Sequence, residues 1–123
     1  MRASVAVTAW AVLTLAAGPA RAADDGFAAF WKAFAGAAAK DDGAALSQMT
    51  ALGPGLGPSA SSFAKFHAAA LGAKARACLT KAKPKRDVDG TGQVAYDVFC
   101  GEVIYTFSRT TAGWRLTDMG AND

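Results

Sequence analysis

Apolar residues follow three regimes along this chain: an unbroken run near the start, helical spacing through the middle, and alternation toward the end. The run covers residues 5–17 (VAVTAWAVLTLAA), carries no charge, and follows Arg2. Gly18-Pro19 breaks it, and Ala20-Arg21-Ala22 sets small residues at the two positions that a signal peptidase reads. Positive start, apolar core and small-residue exit are the three parts of a secretory signal. A bilayer-spanning helix needs about 20 apolar residues, so the run is too short for an anchor. No cysteine lies near the exit, which argues against a lipoprotein. The expected organisation is a signal peptide over 1–22 and one domain over 23–123, exported to a bacterial periplasm.

Helical spacing begins at once in the expected mature chain. Asp24-Asp25-Gly26 offers carboxylates to the free N–H groups of a first turn. Phe27, Phe30, Trp31 and Phe34 follow at i, i+3, i+4 and i+7, one stripe of a helix that runs to about Lys40. Four aromatics at this interval suit a helix lying on a sheet better than a cofactor-stacking box. Asp41-Asp42-Gly43 ends this helix and caps a short second one through Leu46 and Met49. Residues 51–59 (ALGPGLGPS) hold three Gly and two Pro, which predicts an irregular, mobile loop. Ser61 or Ser62 then caps a third helix with Phe63, Phe66, Ala70 and Leu71 on its apolar side. Gly72 is expected to kink it before Ala73, Cys78 and Leu79. Residues 81–92 (KAKPKRDVDGTG) read as a polar turn region, with Asp89-Gly90 as its turn signal.

The last thirty residues alternate. Three strands are predicted, over 93–100, 103–108 and 114–119. A two-residue hairpin at Gly101-Glu102 pairs Cys100 with Val103, Val98 with Tyr105 and Tyr96 with Phe107. That register collects Tyr96, Val98, Cys100, Val103, Tyr105 and Phe107 on one apolar face, continued by Trp114 and Leu116. Asp97, Phe99, Ile104, Thr106 and Ser108 fall on the other. Helices first and an antiparallel meander last make an α+β domain, helical layer against sheet.

The aromatic first helix, the Asp-capped second, the Cys78-Leu79 pair ending the third, the matching Cys100, and the closing Gly113-Trp114-Arg115-Leu116 together resemble small exported members of the NTF2-like superfamily. The resemblance implies a cystatin-like cone, in which a curved antiparallel sheet wraps around helices. Three late strands are fewer than such a cone usually has. The superfamily holds isomerases, dehydratases and plain binding modules, so the fold implies no single activity. Its catalytic members place an Asp, His or Tyr in the mouth of the cone, and no motif here maps such a residue.

Charge and cysteines sharpen the compartment more than the function. The formal charge is +3 with a pI near 9.1. Without Arg2 and Arg21, however, eleven Lys/Arg face ten Asp/Glu, so overall basicity is no pointer to nucleic acid. In an oxidising compartment the two cysteines, Cys78 and Cys100, are most simply a structural disulfide, and they lack the Cys-x-x-Cys spacing of a redox pair. His67 is the one histidine, at the edge of the third helix's apolar side, and is the weak candidate for general acid–base work. With one histidine and a bridged cysteine pair, no metal and no cofactor is expected. Lys74, Arg76, Lys81, Lys83, Lys85 and Arg86 form a basic run.

Three readings follow. The leading one is a non-catalytic periplasmic module binding a small apolar ligand, or an envelope protein, between helices and sheet, with Trp31, His67, Tyr96 and Tyr105 as ligand-binding candidates. The second is a small isomerase, dehydratase or hydrolase using His67 in a pocket. The third is an envelope accessory protein acting through the basic 74–86 surface. Phe99 and Ile104, apolar on the sheet's outer face, hint at a homodimer.

Overall fold

The computed structural model describes residues 25–122; the expected signal peptide and its cleavage point lie outside them. Helix α1 (Phe27–Lys40) buries Phe27, Phe34, Ala37 and Ala38. It ends where Asp41 takes a left-handed conformation (φ 51°), so that Asp41 N–H donates to Ala38 O and Asp42 N–H to Ala37 O. This closing pattern usually takes glycine at the left-handed position. Asp42 then caps α2 (Gly43–Gln48), its carboxylate accepting from Ala45 N–H at 3.2 Å.

Residues 51–59 are not the irregular loop that their Gly/Pro content predicts. They hold two short 3₁₀ turns, Pro54–Leu56 and Pro58–Ser61, because Pro at the first position of each fixes a helical φ. Leu56 is buried and anchors the segment. A Cβ on Gly55 would stand 2.7 Å from the Thr117 carbonyl oxygen, so only glycine lets this segment lie so close to the sheet. Ser62 caps α3 (Phe63–Ala70) by accepting from Lys65 N–H. Gly72 does more than kink the next stretch: it separates α3 from α4 (Ala73–Lys81), while Leu71 beside it is fully buried.

The sheet has four strands, one more than expected. The extra strand, β1 (Lys85–Val88), lies at the edge and is exposed along its length, so its residues show no alternation to read. It is followed by β2 (Val94–Cys100), β3 (Val103–Thr110) and β4 (Gly113–Ala121) in an antiparallel meander, order β1-β2-β3-β4. The β2–β3 hairpin has the expected register, including Tyr96 opposite Phe107, Val98 opposite Tyr105 and Cys100 opposite Val103. Gly101 takes the positive φ (65°) that this two-residue turn requires. Between β3 and β4 the register slips at Thr106/Phe107, where Asp118 opposes Thr106 but Leu116 opposes Phe107. Thr117 is the extra residue of a bulge, which lets Leu116 and Met119 both face the helices. On the far side of β4, Thr50 adds a short parallel bridge to Leu116.

Helices and sheet therefore enclose one core. Phe34, Phe66, Phe107, Leu46, Leu71, Leu79, Leu116 and Val98 are its fully buried side chains. Around Phe107 the rings of Phe34, Trp31 and Phe30 stand at 5.0, 5.5 and 5.9 Å in edge-to-face contact, the arrangement that aromatic quadrupoles favour. The alternating face of the hairpin and the stripe of α1 fill the interior with one another. The α+β class read from the pattern is the class observed.

Candidate functional site

A groove of about 650 Å³ lies where the helix break meets the sheet. The chain turns at Gly72 between α3 and α4, and the turn is pinned from both sides. Tyr105, rising from β3, donates its hydroxyl to Ala70 O at 2.7 Å. Arg76, one turn into α4, donates from Nη1 to Leu71 O at 2.9 Å. Both carbonyls belong to the frayed end of α3, where no next turn can satisfy them. Burial alone pushes the Tyr105 hydroxyl above its ordinary pKa, so it stays a neutral donor.

The disulfide closes one end of this groove. Cys78 on α4 and Cys100 at the end of β2 are bonded with their Cα atoms 5.9 Å apart, within the span that such a bridge needs. Facing the sheet across the groove are Ala69, Ala70, Ala73 and Ala75. Their methyl groups are too short to reach Val103 and Met119 opposite, and the space left is about 650 Å³. That volume is within the range of small-molecule sites, which are mostly apolar with a few polar groups. Lys74 and Glu102 supply the charge on its lining. With the Tyr105 hydroxyl committed and the sulfurs joined, most of this lining is apolar surface.

Of the four ligand-binding candidates, only Tyr105 lines this groove. Trp31 is half-buried among the core aromatics. Tyr96 lies beyond Phe107 on the same face, stacked on Phe27 with ring centroids 3.8 Å apart. His67 does not line the groove; its Nε2 is 2.7 Å from Asp41 Oδ1 and about a quarter of the side chain is exposed. That hydrogen bond, helped by the charge of Arg76, holds the Asp41 carboxyl below its ordinary pKa. The pair joins the end of α1 to α3.

The basic run is likewise divided. Arg76 reaches Leu71 O and stands 3.6 Å from Asp41, Lys74 borders the groove, and Lys85 sits opposite Asp97 on the sheet. On the outer face Asp97 accepts from the Thr106 hydroxyl at 2.7 Å, and Phe99 is about half exposed. Among the described residues, no cluster of three His, Cys, Asp or Glu side chains is placed to hold a metal, and no helix is long and apolar enough to cross a membrane.

Asp25 carries a role that its sequence position does not reveal. Its carboxylate accepts from Phe27 N–H at 3.0 Å and from the Tyr96 hydroxyl at 2.7 Å, while its carbonyl accepts from Trp114 Nε1 at 2.9 Å and from Arg109. One residue thus ties the start of α1 to β2, β3 and β4. Burial pushes the Asp25 pKa up, but the Tyr96 and Phe27 donors and the nearby Arg109 outweigh it and hold the pKa below the ordinary value. The capping potential of an acid before a helix was readable; partners 71 to 89 residues away were not.

No known protein family, no curated protein and no solved structure matches this chain.

Proposed function

We propose that this protein is a non-catalytic binding module of the periplasm, delivered there by the signal peptide read at 1–22, and that it holds a small apolar or amphipathic molecule between α3–α4 and the sheet. The groove beside the disulfide carries this reading. Its apolar walls come from alanines on one side and from Val103, Tyr105 and Met119 on the other, with Lys74 placed to meet an acidic end group. A cone of the NTF2-like kind would present its cavity at such a helix–sheet junction. The disulfide supports the compartment, since a bridge of this kind persists outside the cytoplasm.

The test is a titration of the folded protein with dodecanoate and, separately, dodecyl maltoside, followed by amide NMR. Saturable shifts are expected at Ala73, Val103 and Met119. Ala73 is exposed on the first turn of α4, so Ala73→Trp should fill the groove and abolish those shifts without lowering the melting temperature. Binding that survives Ala73→Trp, or shifts that avoid the groove altogether, would overturn the assignment.

A further inference from the structure

The opposite end of the sheet holds a second, unlike site. The helix-facing side of the meander is apolar from Cys100 and Val103 through Val98, Tyr105 and Phe107. It then changes character. Arg86 stands opposite Tyr96 and Arg109 opposite Trp114, and residues directly opposite share a face. Two guanidiniums therefore occupy the side that otherwise builds the core. They border one cleft of about 300 Å³, lined also by Asp25, Thr91, Gln93 and Trp114.

The surroundings orient one of these cations, Arg109. Arg109 donates one N–H to the Asp25 carbonyl and lies over the Trp114 ring, 5.0 Å from its centroid. An arginine has five N–H donors, so that contact orients the fork and leaves most of it uncommitted. Arg86 acts on the Tyr96 hydroxyl. Among the described residues, neither guanidinium has a carboxylate within ion-pair distance. The Asp25 carboxylate accepts from Phe27 N–H on one oxygen and from the Tyr96 hydroxyl on the other, and the charge of Arg109 acts on it from beyond ion-pair distance. The third wall is a stiff turn, in which Asp89 Oδ1 accepts from Thr91 N–H, the Thr91 hydroxyl and Gln93 N–H at 2.8, 2.6 and 3.0 Å.

We propose that this cleft binds the oxyanion group of a small molecule, a carboxylate or a phosphate, between Arg86 and Arg109. Planar guanidinium forks match both groups with paired hydrogen bonds. The proposal does not depend on the apolar groove, and the two sites lie at opposite ends of the strands.

The experiment titrates the protein with inorganic phosphate and, in a separate arm, with benzoate, at constant ionic strength, and follows the amides of Thr91, Gly92 and Val94 and the Trp114 indole N–H. One anion should move these signals saturably, and the tighter of the two assigns phosphate or carboxylate as the group recognised. Arg86→Gln, on an exposed edge strand, should weaken that binding by about tenfold or more, Arg86→Lys should restore part of it, and Lys83→Gln should change nothing. The site is refuted if neither anion saturates these signals, or if Lys83→Gln weakens binding as much as Arg86→Gln.

Discussion

Replacing both cysteines, Cys78→Ala with Cys100→Ala, isolates the contribution of the covalent closure. The bridge spans 22 residues of sequence, and freeing a loop of this size returns chain entropy to the unfolded state worth about 3 kcal/mol. Little else should change. Both cysteines are only half-buried, so alanine leaves no closed cavity, and Leu79 beside Cys78 remains fully buried in the core. Domains of this size have total stabilities of about 5–15 kcal/mol, so the variant should still fold. Its melting temperature should fall by about 12–24 °C, taking about 4–8 °C per kcal/mol for a domain of roughly 100 residues. Calorimetry gives that shift, and urea unfolding should show a lower midpoint with a steeper slope, because the unbridged chain exposes more surface. A loss below about 1 kcal/mol, with two-state unfolding intact, would refute the idea that loop closure supplies a large share of stability. The result would place the burden on the aromatic core instead.

Two further perturbations probe the contacts that hold the sheet to its surroundings. Gly55→Ala would drive a methyl group against the Thr117 carbonyl and the Asp118 carboxylate. It should cost about 1–3 kcal/mol by urea unfolding, whereas an unchanged midpoint would show that the 3₁₀ segment yields freely. The Asp25 pKa is depressed below its ordinary value near 3.8. Folded protein therefore binds fewer protons than unfolded protein in acid, and the stability that Asp25 contributes is present above that value and lost as pH falls through the folded pKa. Asp25→Asn should flatten the acid side of the melting-temperature profile; an acid limb as steep as in the parent protein would remove Asp25 from the account.

What could be read from the sequence was what local period encodes. The α1 stripe and the β2–β3 register both depend on side chains recurring at intervals set by the backbone, so Phe34, Val98, Tyr105 and Phe107 were placed in the core correctly. Strand β1 was missed because an edge strand exposed on both faces has no period: Lys85, Arg86 and Asp87 look like a turn. The two 3₁₀ turns were missed because Pro and Gly were taken only as breakers, although Pro also begins helical turns. The groove was legible only in part: a space between helices and sheet, lined by Tyr105, was expected, but its alanine wall was not. Small alanines flank the break at Gly72, which was read only as a kink, and Met119 faces them after the Thr117 bulge, which has no period to read. The same holds for the Asp25 network, whose partners are distant in sequence and are chosen by the finished fold.

We infer that this fold closes over its sulfur bridge after export from the cytoplasm. Intact-mass measurement of the protein isolated from its own cells, before and after reduction, decides between export and retention. The expected result is a chain beginning at Ala23 that becomes two hydrogens heavier on reduction. A chain that retains Met1 with both thiols already free would contradict it.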